Sequence, residues 1–154
     1  MSDITLRDGG LEHPAVVELL AAHLAGMAEH SPPESVHALD LSALQQPDIQ
    51  FWTAWRDDQL LGCAALKALD ETHGELKSMR TDPQFLRQGV ARALLQHALE
   101  QARSNGMTRI SLETGSMDAF APARKMYEAV GFEYTDPFGD YQPDPHSVFM
   151  TLTF

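Results

Sequence analysis

Apolar residues recur along this chain at two spacings, and the spacings divide it into elements. Val16, Leu19, Leu20, Leu24 and Met27 fall at helical spacing, which predicts a helix over residues 14–29 with Pro14 in its first turn. Ser31-Pro32-Pro33 breaks it, residues 35–44 predict a second, shorter helix, and Pro47 ends that one. Val90, Leu94, Leu95, Ala98, Leu99 and Ala102 form the buried stripe of a long helix closed by a left-handed cap at Asn105-Gly106. Residues 122–130 predict a last helix, closed by Gly131. Between the helices lie extended runs. Residues 4–7 make a short first strand. Residues 51–55 and 60–69 flank the polar turn Arg56-Asp57-Asp58-Gln59 and predict a hairpin. Residues 74–81, 109–114, 132–135 and 147–154 complete the strands, and the loop over 136–146 holds three prolines and one glycine.

The order β-α-α-β-β-β-α-β-α-β-β predicts an α/β (α+β) fold. Its centre is a mixed, mostly antiparallel sheet with helices on both faces and one β-α-β crossover. No repeat, low-complexity tract or linker interrupts residues 1–154, which read as a single domain. With 44% hydrophobic residues the chain can build a core. No run of 18 apolar residues is present, which argues against a membrane span. Met1-Ser2-Asp3-Ile4 carries neither the basic nor the apolar region of a signal peptide. The single cysteine, Cys63, lies in the apolar run 60–66 and reads as a packing thiol, which fits a reducing cytoplasm.

Charge changes the picture in one respect. The net charge of −11 argues against nucleic acid as a partner. Residues 80–125 nevertheless hold seven cations against four acids, a net of +3 that leaves −14 for the rest. The acidic remainder either draws a cationic amine or simply keeps the protein soluble.

At the start of the positive segment lies the most informative stretch, Met79-Arg80-Thr81-Asp82-Pro83-Gln84-Phe85-Leu86-Arg87-Gln88-Gly89-Val90-Ala91-Arg92-Ala93-Leu94-Leu95. It reads as a strand, a basic loop with one glycine, and the start of a helix. A helix start leaves backbone N–H groups unpaired at the positive end of its dipole. Gly89 lets an anion approach them, and Arg87 and Arg92 add full charges, so the stretch is a candidate pyrophosphate cradle. Neither GxxxxGK[ST] nor GxGxxG is present, which argues against a P-loop or a Rossmann site.

Arg87-Gln88-Gly89-Val90-Ala91 resembles motif A of the GCN5-related N-acetyltransferases, the GNAT superfamily, which binds the pyrophosphate of acetyl-CoA. Leu86 stands where Gln or Arg is usual, and Arg87 follows it with a charge. Ala123-Arg124-Lys125-Met126-Tyr127-Glu128-Ala129-Val130-Gly131-Phe132 resembles the family's motif B, with Phe120 where an Asn is common upstream. The resemblance extends to the order of elements over nearly the whole chain, and the stretch Leu112 to Phe120 resembles a small-molecule bacterial subgroup.

The resemblance implies acetyl transfer from acetyl-CoA, as co-substrate, to a primary amine. It places Glu75 as general base, with Glu113 in reserve, and Tyr127 as the acid that protonates the coenzyme thiolate. Met79, Arg80 and Thr81 would follow the pantetheine arm, while Arg87, Gln88, Gly89, Val90, Ala91 and Arg92 would hold the pyrophosphate. The acceptor side would draw on His23, His30, Glu34, His37 and Trp52, and later on Phe138, Asp140, Tyr141 and Asp144. Acids and aromatics together suit an ammonium. The seven histidines lack HxxxH or HExxH spacing, so no metal site is expected. No appended domain is seen, which favours a free small amine, an amino acid among the candidates, over a protein lysine. A non-catalytic acyl-CoA sensor and a protein-directed acetyltransferase are the competing readings. An exposed sheet edge offers a surface on which two copies could pair.

Overall fold

The computed structural model describes residues 4–30, 44–139 and 141–154; within the first helix, side chains are described for 14–22 and 25. The elements in order are β1 (Thr5–Asp8), α1 (Pro14–His30), β2 (Ile49–Arg56), β3 (Gln59–Ala68), β4 (His73–Thr81), α2 (Val90–Ser104), β5 (Arg109–Gly115), α3 (Ala121–Val130), β6 (Glu133–Thr135) and β7 (Ser147–Thr153). The predicted helix over 35–44 lies outside the described residues apart from Leu44, which is buried. Among the described residues the chain adds two single 3-10 turns that the sequence pattern does not predict, Pro83–Phe85 and Asp118–Phe120. The first is capped by Asp82, whose carboxylate accepts from the Gln84 N–H at 2.9 Å.

The strands form one seven-stranded sheet in the order β1-β2-β3-β4-β5-β7-β6. Every neighbouring pair is antiparallel except β4 and β5, which α2 connects as the crossover. The mixed, mostly antiparallel sheet predicted from the sequence is therefore the sheet observed.

Strand alternation assigns the two faces. Trp52, Ala54, Leu61, Ala64, Leu66 and Leu76 pack beneath α2 and α3, against Val90, Leu94, Leu95, Ala98, Leu99 and Tyr127. Phe51, Trp55, Leu60, Cys63 and Ala65 face the other way and pack against Val16, Leu19 and Leu20 of α1. Each fully buried Leu or Val of the α2 stripe contributes about 1.5–3 kcal/mol of transfer free energy. Helices thus cover both faces, and the two layers hold different chemistry.

Two irregularities in β4 shape the middle of the sheet. Its parallel pairing with β5 runs from His73↔Arg109 to Leu76↔Leu112 and then stops, although β4 continues to Thr81 and β5 to Gly115. Beyond Leu76 the two strands part and leave a cleft inside the sheet. On its other edge β4 carries a bulge, where the register with β3 shifts between Cys63 and Ala65. Ser78 sits there with φ of 54°, a left-handed conformation that a serine adopts only when its surroundings enforce it.

Candidate active site

The turn into α2 at the candidate cradle has the geometry expected of it. Arg87 and Gly89 both have positive φ, 64° and 84°, so the chain turns tightly into α2 with Gly89 at its N-cap. The first internal bond of the helix runs from the Ala93 N–H to the Gly89 carbonyl at 3.0 Å. Among the described residues no side chain caps this end, and no acidic residue stands in its first turn. The N–H groups of Val90, Ala91 and Arg92 are therefore at an uncapped, electropositive helix end. A Cβ placed on Gly89 would meet nothing within 4 Å, so there is space for a ligand at the backbone. Arg87, Gln88 and Arg92 are exposed around it, and Leu86 is 57% exposed.

The cleft between β4 and β5 opens from this cradle. Met79 and Thr81 lie on the α2 and α3 side: Met79 packs against that core, and Thr81 pairs with Gly62, whose Cβ would touch Val90 and Leu94. Tyr127, buried on α3, bridges to Met79, its hydroxyl 3.9 Å from the sulfur. Burial, and secondarily the charge of Glu113, pushes the Tyr127 phenol up to about 12, so it keeps its proton at physiological pH.

The other face of the same strands is polar. Glu75 is 4% exposed and is no solvated strand residue. Lys77 donates to its Oε2 at 3.0 Å and Tyr141, from the loop before β7, donates to the same oxygen. Lys77 also donates to the Tyr141 hydroxyl at 2.8 Å, so the three groups close a triangle. Burial first, and then the carboxylates of Glu75 and Glu113, hold the Tyr141 phenol far above its ordinary value. Glu113, across the cleft, accepts from the Ser147 hydroxyl at 2.8 Å. Beside them, His73 bonds Ser111 at 2.7 Å, and burial followed by Arg109 lowers the pKa of its imidazole.

Several expectations move. Trp52, placed on the acceptor side from the sequence, lies in the opposite layer: it is 2% exposed beneath α2 and meets His97 edge-on at 5.3 Å. Alternation along β2 sends Phe51, Thr53 and Trp55 to the α1 side instead. Arg80 pairs with Cys63 and faces the α1 layer, so its side chain does not join Arg87 and Arg92. Arg124, part of the positive segment, donates to the carbonyls of Gly115 and Met117 at 2.7 and 2.9 Å and so clamps the end of β5. Phe138 is buried against Tyr141 and Phe149, and Asp144 accepts from the His146 N–H within its own turn. The side chains of His23 and His30, and all of Glu34, His37 and Asp140, lie outside the described residues.

Phe120, standing where the motif often has Asn, has a packing role. Its ring lies on Gly115, where a Cβ would come within 2.2 Å of it. Lys77 was missed from the sequence, although the spacing Glu75-x-Lys77 on a strand puts opposite charges on one face and was the available signal. An open groove of about 470 Å³ lined by residues such as Asp8, Glu12, Phe51 and Gln101 sits by the other end of α2 from Gly89 and shares nothing with this cleft.

An uncapped helix behind a left-handed glycine, a parallel strand pair that parts, and a tyrosine at the mouth of the gap thus lie together at one end of the sheet. Residues 15–132 match the Acetyltransferase (GNAT) family, and the chain belongs to it. It is an N-acetyltransferase that takes its acetyl group from acetyl-CoA. It is 58% identical over 136 residues to the uncharacterized N-acetyltransferase YsnE of Bacillus subtilis (strain 168), covering 88% of this chain and 90% of that one. It is 36% identical to the IAA acetyltransferase of Azospirillum brasilense, covering 97% of each. Among solved structures, a protein assigned as an acyl-CoA N-acyltransferase from Klebsiella pneumoniae superposes with a TM-score of 0.79 at 27% identity over 97% of each chain.

Proposed function

We propose that the enzyme acetylates the primary amine of a small molecule by direct attack within a ternary complex. Acetyl-CoA lies with its pyrophosphate on the N–H groups at the start of α2, flanked by Arg87, Gln88 and Arg92, and its pantetheine along Met79 and Thr81 like an added strand. The neutral amine nitrogen attacks the thioester carbonyl, and the C–S bond breaks as the amide forms. Tyr127 gives its proton to the departing thiolate. The amine's proton passes to Glu75, directly or through a water; Lys77 and Tyr141 bond Oε2, which directs transfer to Oε1.

The observation that carries this reading is the pair Tyr127 and Met79 at the mouth of the cleft, with Glu75 further back on Met79's own strand. Cys63 supports direct attack, since burial pushes its thiol up to about 12 and leaves it no nucleophilic character. Phe138 and Tyr141 fold the loop before β7 against the acceptor face, which favours a compact acceptor over a polypeptide. A free buried thiol fits the cytoplasm.

Calorimetric titration of acetyl-CoA comes first, followed by thiol release with panels of amines, amino acids and peptides. The name of the Azospirillum relative adds IAA to the panel. Micromolar acetyl-CoA binding with turnover of a free amine is the expected result. Binding with no turnover in any panel would identify a sensor, and turnover confined to peptides a protein-directed enzyme.

A further inference from the structure

We propose that Arg80 anchors a carboxylate on the acceptor, so that the substrates of this enzyme are amino acids rather than simple amines. The inference rests on the acetyltransferase reading of the cleft and adds the chemistry of its second substrate.

The position of Arg80 is set by the register of β4. Lys77 pairs with Ala65 and Arg80 with Cys63, and both partners belong to the α1 layer. Residues directly opposite on antiparallel strands share a face, so Lys77 and Arg80 share the face that carries the Glu75 triangle. Met79, immediately before Arg80, faces the other way and meets Tyr127. Arg80 thus flanks the reacting end of the cleft on the side from which the acceptor must come.

Among the described residues no carboxylate pairs with Arg80. Lys77 pairs with Glu75 at 3.0 Å, and Ser147 holds Glu113 at 2.8 Å. Arg80 Nε is buried and has no hydrogen-bond partner among the described residues. A guanidinium does not shed its proton to escape this situation, and a buried charged donor without an acceptor is costly. Two residues earlier, the Ser78 hydroxyl is also buried without a partner among the described residues. These two orphaned groups belong to the segment of β4 that has left β5, and the bulge at Ser78 sets its local course.

A carboxylate answers both groups. Its two oxygens accept from the planar guanidinium fork, with lone pairs left for a hydroxyl. The charges match as well: an amino acid whose amine has lost its proton for attack still carries −1, against the +1 of Arg80, which has no carboxylate partner among the described residues. In an α-amino acid the nitrogen and carboxylate are separated by one carbon, which suits an anchor adjacent to the thioester.

The test compares phenylalanine with phenethylamine, histidine with histamine, methionine with its decarboxylated amine, and lysine with cadaverine, by thiol release from acetyl-CoA. At least one amino acid is expected to exceed its matched amine by 30-fold or more in kcat/KM. Arg80→Met should reduce that preference to less than threefold, and Arg80→Lys, which keeps the charge without the fork, should retain part of it. Calorimetry on the same variants should leave acetyl-CoA affinity within threefold. Equal rates for both members of each pair, absence of turnover with every amino acid, or an equal loss for both members in the variants would overturn the proposal. A tenfold loss of acetyl-CoA affinity in Arg80→Met would also overturn it and return Arg80 to the coenzyme. Failure of the unaltered protein to bind acetyl-CoA would instead remove the reading beneath it.

Discussion

At the scale of single residues, the proposed reaction divides its chemistry between Tyr127 and Gly89. Tyr127 is buried, its hydroxyl lies 3.9 Å from the Met79 sulfur, and burial keeps it protonated to about pH 12. Such a group is suited to donate a proton to a thiolate and unsuited to bind the coenzyme by charge. Tyr127→Phe should therefore lower kcat at least tenfold, toward the roughly 10²–10⁴-fold typical of a lost general acid, with acetyl-CoA affinity unchanged. Equal turnover in the two proteins would remove Tyr127 from the mechanism. Gly89 acts the other way. Its φ of 84° costs any other residue about 1 kcal/mol, and the space above it is empty. Gly89→Ala should show that strain as a modest loss in denaturant midpoint. Gly89→Glu should add a carboxylate at the proposed pyrophosphate position and abolish acetyl-CoA binding by calorimetry while the fold persists. Retained affinity would move the cradle elsewhere.

Elements show how much of this was legible and why the remainder was not. The α2 stripe, the hairpin around Asp57-Asp58 and the glycine that opens the cradle are local patterns, and the sequence displays each directly. The facing of a strand residue is not local once a bulge intervenes. Arg80 stands between Met79 and Thr81 in the sequence, yet only the register with Cys63 shows that it serves the opposite face. Trp52 misled for a related reason: an aromatic in a strand suits either layer, and the partner across it decides. The parting of β4 from β5 has no signature in either strand. The contact of Phe120 with Gly115 is similarly a tertiary fact, and it carries its own prediction. Arg124 ties the end of β5 to the 3-10 turn, and the Phe120 ring lies where a Gly115 Cβ would be. Gly115→Ala should force that ring away and destabilise the protein by about 1–3 kcal/mol, measured as a lower denaturant midpoint. Gly115→Ala combined with Phe120→Ala should lose less stability than the sum of the two single losses, because removing the ring removes the collision that underlies the first. An unchanged midpoint in Gly115→Ala would show that the turn gives way freely.

For the molecule as a whole, burial of acidic protons sets the alkaline limit of stability. Cys63 is raised from 9.0 to about 12 and Tyr127 from 10.0 to about 12, in both cases chiefly by desolvation, and Tyr141 is raised too. Above pH 9 the unfolded chain sheds the Cys63 proton while the folded chain keeps it, and above pH 10 the tyrosines follow. The folded state then holds more protons than the unfolded state, so stability must fall as pH rises. The contribution is complete below pH 9 and is lost toward pH 12. Each group costs about 1.4 kcal/mol per pH unit across its window, so Cys63 and Tyr127 together remove roughly 7 kcal/mol by pH 12. That is comparable to the whole stability of an ordinary domain, about 5–15 kcal/mol. The net charge of −11 acts in the same direction, since every further ionisation adds to self-repulsion. Chemical denaturation at a series of pH values should show stability level up to pH 9, a gentle decline to pH 10 and a steep one beyond. In Cys63→Ala the decline should begin a full unit later, where the tyrosines take over. A decline that starts at the same pH in both proteins would mean that the thiol ionises as readily inside the sheet as in the open chain, contrary to its place between β4 and the α1 layer.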